Sequence, residues 1–307
     1  MIHNIQPHRL KNEYTPVPAK GSDLVMIFQA DQIWMLEHNN QLTLPTVDEI
    51  EATDATSLRY LFALESHRYY RLEDDNFTPQ NPNGSYIKVR SLRHRLFPKQ
   101  TDHILSAGSL SSSEQTMLFR QKELCFAIMT GWHLHTWYRD HAFCGRCGTP
   151  TVHSDTQRML QCPNCKNMIF PTIAPAVIIG VVKGDQILLS KYSDRDYIGY
   201  ALLAGFMEIS ETPEDTVKRE VMEEVHLQVK NIRYYKSQPG GIDGNVLLGF
   251  FCDLDGDDSI QIDESELAMA KWYHRDEIPV KNDGYSLTFE MISYFHDHPE
   301  KFKDLSD

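Results

Sequence analysis

The chain has 307 residues, enough for two ordinary domains and a small module, and its 41% hydrophobic and 24% charged content excludes a disordered or fibrous protein. A net charge of −13 excludes general electrostatic adhesion to nucleic acid or anionic membranes, so a polyanionic ligand has to be met by local basic residues or bound cations. No apolar run approaches the ~20 residues of a membrane span, and the polar start from Met1 to Lys20 lacks a signal-peptide core, so a cytoplasmic protein with no membrane association is expected.

From Leu24 to Arg90 short apolar stretches, such as Leu24 to Phe28 and Tyr86 to Val89, alternate with turn-rich segments, the strongest running from Pro79 to Gly84. That texture predicts strands with some helix. Ser106 to Ser113 reads as a loop. Glu114 to His141 then places Leu124, Ile128 and Trp132 at i, i+4 and i+8, the pattern of a long amphipathic helix leading out of the first domain. This α+β domain, residues 1–141, carries no chemical motif. A cysteine module follows over 142–170, and a third unit over 171–307. The third unit opens with the buried-strand run Ala176 to Val182, a Lys183-Gly184-Asp185 turn and the strand Gln186 to Ser190. A helix is predicted near Thr212 to Val225, and strands near Ile232 to Tyr235 and Asn245 to Cys252. Asp253, Asp255, Asp257 and Glu264 take positions one, three, five and twelve of a calcium-loop pattern, but Asp258 replaces the glycine that the turn requires, so a polar hairpin is expected there.

Cys144-Gly-Arg-Cys147 and Cys162-Pro-Asn-Cys165 are fourteen residues apart, the double-knuckle spacing of a zinc ribbon. Each Cys-x-x-Cys turn aims two thiolates at one tetrahedral ion, with Gly145 and Gly148 easing the turns. Four thiolates leave no open position, so one structural zinc per chain is expected; redox-active pairs or unligated thiols are the competing readings. Cys125 and Cys252 stand alone in apolar surroundings and read as packing residues in a reducing compartment. His133, His135 and His141 read as packed or solvated side chains rather than ligands. Arg146, Arg158 and Lys166 are too few for a phosphate-tracking patch on so acidic a chain.

The chemistry is concentrated between Gly205 and Leu227. Thr212-Pro213-Glu214-Asp215 is a helix start, with a capping hydroxyl, proline in the first turn and acids at the positive end of the dipole. Glu220, Glu223 and Glu224 then fall at i, i+3 and i+4. Acids packed into a last turn repel one another and oppose the helix dipole, so the arrangement is costly unless a cation offsets it. Mg²⁺ or Mn²⁺ would do so, because hard divalent ions take carboxylate and phosphate oxygens and activate water. On spacing alone, a solvated acidic helix is the competing reading.

The stretch resembles the Nudix box: Gly205, five residues, Glu211, seven residues, Arg219-Glu220, an apolar residue, any residue, Glu223-Glu224, any residue, then a glycine and an apolar residue. The one departure is His226 in place of the last glycine, where a helix usually ends with positive φ; local strain on the order of 1 kcal/mol and retained chemistry are expected. The resemblance implies a Nudix α/β/α sandwich, with Glu220 and Glu224 as metal ligands, Glu223 as a further ligand or base, Arg219 orienting the acids, Glu211 supporting them and Glu266 completing the metal set.

The order of parts narrows the resemblance. A ribbon with Phe143-Cys-Gly-Arg-Cys-Gly148 directly before Phe170-Pro-Thr-Ile-Ala-Pro175 and Leu203-Ala-Gly-Phe-Met-Glu208 is similar to the NADH pyrophosphatase branch, from about Trp137 to Pro279. That branch implies a zinc-containing homodimer splitting NAD(H) into nicotinamide mononucleotide and AMP, with NAD-capped RNA a further substrate class and the first domain a scaffold or dimerisation element. Phe206 and Phe170, the latter from the partner subunit, would sandwich the nicotinamide ring, and Ser237 and Gln238 would contact substrate; core packing is the alternative role of the two phenylalanines. Where the branch continues Ser-Gln-Pro-Trp and Pro-Phe-Pro, this chain reads Ser237-Gln238-Pro239-Gly240-Gly241-Ile242-Asp243-Gly244-Asn245. The aromatic pair is missing, and three glycines predict a loop costly to order around a ligand. The alternatives are a Nudix hydrolase for ADP-ribose or another nucleoside diphosphate derivative, and a non-catalytic nucleotide sensor.

Overall fold

The computed structural model describes residues 1–39, 41–50, 57–74, 77–96, 112–193, 199–279 and 283–302. The chain divides into two compact units, one of Met1–His3, Ile173–Gly240 and Asn245–Asp307, the other of Asn4–Thr172 with Gly241–Gly244.

The second of these contains β1 (Leu10–Lys11), β2 (Leu24–Met26), β3 (Phe28–Gln29), β4 (Gln32–His38), β5 (Gln41–Thr43), β6 (Leu58–Leu64), β7 (His67–Leu72), β8 (Gly84–Lys88), α1 (Leu92–Leu96) and the long α2 (Ser112–Asp140). One sheet runs β1-β6-β7-β2, with β2 and β7 parallel; the other joins β3-β4-β5, with β8 beside β4. Val25, Ile27, Trp34, Leu36, Ile50 and Leu72 form a core between strands. The expected loop from Ser106 lies outside the described residues, except Ser112 and Ser113, which open α2. That helix is not the one-striped surface helix its sequence suggested. Cys125, Phe126, Ala127, Ile128, Leu134, His135, Trp137 and Tyr138 are all buried, while Leu124 and Trp132 are only partly so. Packed on several sides, it needs no clean polar face. Gly131 lets it close on Met26, whose sulfur lies 2.1 Å from where a Cβ would stand.

The ribbon adds β9 (Val152–His153), β10 (Leu160–Gln161) and β11 (Met168–Ile169), a three-stranded antiparallel sheet. Arg158, one of the three basic residues judged too few for a phosphate-tracking patch, is used in packing: its guanidinium donates to the Leu61 carbonyl at 2.6 Å and to the Asn12 carbonyl at 3.0 Å, and lies 5.5 Å from the Tyr14 ring centre.

The other unit is an α/β/α sandwich. Its strands are β12 (Ala174–Lys183), β13 (Gln186–Tyr192), β14 (Leu203–Phe206), β15 (Val229–Gly240), β16 (Asn245–Leu254) and β17 (Leu267–His274), with helices α3 (Pro213–Val225) and α4 (Leu287–Asp297). The sheet runs β15-β16-β12-β13-β17, with β14 on β12; only β12 and β16 are parallel. The predicted hairpin turns at Gly184, whose φ is +55°. Alternation along β12 builds the layers. Val177, Ile179 and Val181 face Val217, Val221 and Val225 of α3, while Ile178 and Val182 face Leu287, Met291 and Phe295 of α4. Asp253 lies on β16, where its carboxylate pairs with Arg233 at 2.8 Å, and the acidic stretch that follows from Asp255 is a loop rather than the expected hairpin, with Asp258 paired to Lys183.

Candidate active site and zinc centre

Helix α3 starts as its sequence requires. The Thr212 hydroxyl caps α3 by accepting from the Asp215 amide at 3.2 Å, Pro213 fills the first turn, and Glu214 and Asp215 meet the positive end of the dipole. At the other end His226 is left-handed, φ +57° and ψ +33°; its amide donates to the Met222 carbonyl and its ring nitrogen Nδ1 to the Gln261 carbonyl at 3.0 Å. The imidazole thus gains a hydrogen bond in partial compensation for taking a glycine's conformation.

Valines on α3 pack on the sheet, which carries Glu220 and Glu224 inward with them; Glu224 is only 1% exposed, whereas the Glu223 side chain is 58% exposed. Gly205 of β14 makes room for this. A Cβ there would stand 1.9 Å from the Glu220 carboxyl carbon. Because the obstruction is the end of a flexible side chain, Gly205→Ala should displace the carboxylate rather than unfold the sheet. We expect at least a tenfold loss of kcat with Tm within a few degrees of the parent, read by steady-state kinetics and thermal melting.

Arg219 organises the acids. Its Nε and Nη2 donate to the two oxygens of Glu211 at 2.6 and 2.9 Å, its Nη1 to Glu220 at 2.8 Å and Glu223 at 2.9 Å, and Nη2 also to the Phe206 carbonyl at 2.8 Å. A planar guanidinium with five donors can do this; an ammonium could not. Glu211 also accepts from the Glu208 amide at 3.0 Å and the Thr216 hydroxyl at 2.9 Å. The Arg219 bonds, followed by the Glu208 amide, hold its carboxyl down at about 2. Burial pushes the Glu220 carboxyl up, Arg219 pulls it back, and the charges of Glu223 and Glu266 add to the rise.

Glu266 is held in the segment that folds back on the end of α3. The Gln261 and Asp263 amides donate to the Val225 and Glu224 carbonyls, and the Glu266 carbonyl accepts from the Ser193 amide at 2.9 Å. The donor chemistry of Glu220, Glu223, Glu224 and Glu266 suits a hard divalent ion. Among the described residues, however, no three of these carboxylates have their oxygens within 4.8 Å of one another.

The segment after Ser237 differs from the loose loop expected. Gly240 ends β15 paired with Asn245, and the Asn245 amide oxygen lies 1.8 Å from where a Gly240 Cβ would be. Gly241 meets the Met129 backbone, whose oxygen is 2.5 Å from its own virtual Cβ, so a larger residue would be driven into main chain. The glycines serve close approach, not mobility, and the order is already built in. Register places Phe206, Ala176, Leu247 and Gln238 in one cross-strand row on one sheet face. The side-chain oxygens of Gln238, which ends that row, and of Asn245, which lies between Ala174 and Gly240, are buried without a hydrogen-bond donor. The sequence marks Asn245 only as the start of a strand, and nothing local announces its buried side-chain oxygen. Ser237 lies beside Gln238 on β15, opposite Leu248.

The four cysteines converge. Cys144 and Cys165 sulfurs are 3.6 Å apart, Cys147 and Cys162 sulfurs 3.5 Å, and all four lie within 4.8 Å. Zinc–sulfur arms of about 2.3 Å give a tetrahedron with edges of ~3.8 Å, so the set fits one zinc. The residue after each knuckle is left-handed, Gly148 at φ +71° and Lys166 at φ +60°. The histidines stay out of the set: His133 donates to the Thr172 carbonyl, His141 to the Trp137 carbonyl, and His135 accepts from Arg71.

Comparison with known proteins gives two family matches: the NUDIX domain over residues 172–295 and the NADH pyrophosphatase zinc ribbon domain over 139–170. Among curated relatives, "NAD-capped RNA hydrolase NudC" of Pectobacterium atrosepticum is 42% identical over 149 residues, 48% of this chain and 57% of its own. The protein of that name from Photorhabdus laumondii is 39% identical over 150 residues, 49% of this chain and 58% of its own, and that from Erwinia tasmaniensis 38% over 168 residues, 55% and 64%. The chain therefore spans about three-fifths of the length of the curated relatives it matches.

Proposed function

We propose that this chain, which carries a Nudix domain behind a zinc ribbon of the NADH pyrophosphatase type, hydrolyses the pyrophosphate bond of NAD(H), adding water to give nicotinamide mononucleotide and AMP. The observation that carries the reading is the Arg219 hub, which ties Glu211, Glu220, Glu223 and the Phe206 carbonyl into one unit. A solvated acidic helix would not bury Glu220 and Glu224 or reserve a side-chain-free Gly205 beneath one of them.

In this reading Glu220, Glu223, Glu224 and Glu266 would hold Mg²⁺ or Mn²⁺, which supplies charge neutralisation at the phosphates and an activated water. Glu223 and Glu266 are exposed and can reach an ion by rotamer change, whereas Glu220 and Glu224 are fixed by packing. Arg219 aligns the acids through its hydrogen bonds to them, with Glu211 as its anchor. Phe206 and Phe170 are 54% and 50% exposed, which favours ring stacking over core packing for both. The buried Gln238 oxygen at the end of the Phe206 row is an acceptor that a ligand N–H would satisfy, and leaving such a group unmet is costly. The shared name of the curated relatives extends the proposed substrates to NAD-capped RNA.

The test is product analysis with NADH, NAD⁺, ADP-ribose and NAD-capped RNA in Mg²⁺. We expect NADH to give reduced nicotinamide mononucleotide and AMP. Loss of the aromatic pair removes a stack of ~0.5–1.5 kcal/mol, so kcat/KM for NADH and ADP-ribose should lie within roughly tenfold of each other. Turnover of ADP-ribose alone would replace the substrate assignment; binding without turnover would make the protein a sensor.

The ribbon also exposes Phe143, Val152, Met168 and Phe170, an apolar set of the kind found at interfaces. With the branch's dimeric habit, this supports a homodimer, and light scattering should return twice the chain mass. Among the described residues no helix is long and apolar enough to cross a membrane, and the six cysteines are free thiols.

A further inference from the structure

The sequence departs from the Nudix box at one position, His226, and the fold gives that departure a use. His226 takes the left-handed conformation, φ +57° and ψ +33°, that a glycine adopts without strain. A side chain kept where it costs stability calls for a contact that a glycine could not make. The imidazole is exposed, so burial does not force it to bond, yet its Nδ1 donates at 3.0 Å to the carbonyl of Gln261, thirty-five residues further on.

Gln261 opens an irregular arm, residues 261–266, that runs along the end of α3 and leads into β17. A helix leaves its last carbonyls unpaired, and the arm meets two of them. The Gln261 amide donates to the Val225 carbonyl at 3.1 Å, and the Asp263 amide to the Glu224 carbonyl at 2.9 Å. The imidazole adds a bond in the reverse direction, from helix to arm. Further along, the Asp263 carboxylate accepts from the Ser265 amide at 2.9 Å, the Asp263 carbonyl from the Glu266 amide at 3.1 Å, and the Glu266 carbonyl from the Ser193 amide at 2.9 Å. The arm is thus pinned at both ends, and its last residue is Glu266. Burial raises the Glu220 carboxyl, and against the pull of Arg219 the charges of Glu223 and Glu266 raise it further, so the arm holds Glu266 within electrostatic reach of the helix acids. Glu266 is exposed and can meet an ion by rotamer change only while the backbone beneath it stays docked. A slip of about 1 Å in such a support is enough to impair a site.

We infer, resting on the hydrolase reading above for the role of Glu266, that His226 is a positioning residue: its imidazole latches the Glu266 arm to the end of α3 and so sets the affinity for the divalent cation. A plain helix cap would lose stability when removed. His226→Gly instead relieves the left-handed strain while freeing the arm, so stability holds or rises as cation affinity falls.

The test uses the zinc-loaded full chain. In His226→Gly, hydrogen exchange read by mass spectrometry without Mg²⁺ or Mn²⁺ should be about threefold faster or more over 261–266, with Tm no lower than the parent's. Calorimetric titration with Mn²⁺ should give a Kd raised about threefold or more. The Mg²⁺ concentration for half-maximal NADH turnover should rise in proportion, while KM for NADH at saturating Mg²⁺ stays within roughly twofold of the parent's. His226→Asn puts an amide N–H where Nδ1 stands, on a side chain that accepts the left-handed region, and should restore parental exchange and Mn²⁺ affinity. In a Glu266→Gln background, His226→Gly should add no further loss of Mn²⁺ affinity, because the latch acts through that carboxylate. No Mn²⁺ binding by the parent, parental exchange or Mn²⁺ affinity in His226→Gly, no restoration by His226→Asn, or an undiminished loss in the Glu266→Gln background would each overturn the latch and leave the hydrolase reading standing. A parent that hydrolyses none of the substrates would remove the hydrolase reading, and exchange and Mn²⁺ binding would still decide the latch.

Discussion

Glu224→Gln should lower kcat for pyrophosphate hydrolysis by about three orders of magnitude. The substitution keeps size and shape at a position only 1% exposed, so the sheet and α3 should remain as they are. On the proposed reading it removes a negative oxygen that would hold a metal ion at the scissile phosphates, and metal-borne charge stabilisation is worth several kcal/mol, with each ~1.4 kcal/mol a factor of ten. Glu223→Gln should do less, because that side chain is exposed and a second carboxylate or water can take its place. The measurement is initial rate against NADH at saturating Mg²⁺, with circular dichroism as the control. A parental rate in Glu224→Gln would mean that the catalytic helix is misassigned.

The second large effect is expected at the ribbon. Cys147→Ser should lose about one zinc per chain and disorder residues near the two knuckles, since structural zinc binding contributes ~10–16 kcal/mol in small zinc modules and no hydrophobic core replaces it. The only fully enclosed apolar groups of the ribbon besides its cysteines belong to Leu160, so the metal takes the place of a core. Because the Glu-bearing helix is packed in the other unit, whatever activity survives should keep its Mg²⁺ dependence. Metal analysis and thermal melting decide this. A parent protein without zinc, or a variant melting like the parent, would reject a structural metal.

Local pattern was enough for the parts that local physics governs. Two Cys-x-x-Cys knuckles, the Thr212 cap, the alternation along Ala176 to Val182 and the spacing of Glu220, Glu223 and Glu224 are each written within a few residues. Knuckles, caps and strand faces follow from backbone geometry over that same range, so their reading needs no knowledge of distant neighbours. The left-handed turn at His226 was expected only from the resemblance to the Nudix box, whose last glycine it replaces.

Only the tertiary structure decided the rest. Periodicity along Glu114 to His141 suggested a single apolar stripe, but neighbours on several sides of α2 bury Cys125 to Ile128 together. The glycines after Pro239 read as slack, and instead Gly240 lies under Asn245 and Gly241 against Met129, more than a hundred residues away in the chain. Arg219 was marked as an orienting residue, yet its partners Glu211 and the Phe206 carbonyl come from a loop and a strand that only folding brings to it. Close approach, burial and charge pairing between distant segments depend on which surfaces meet, and a one-dimensional pattern carries each segment's own conformational preference but not the shape of the neighbour against which it will be packed.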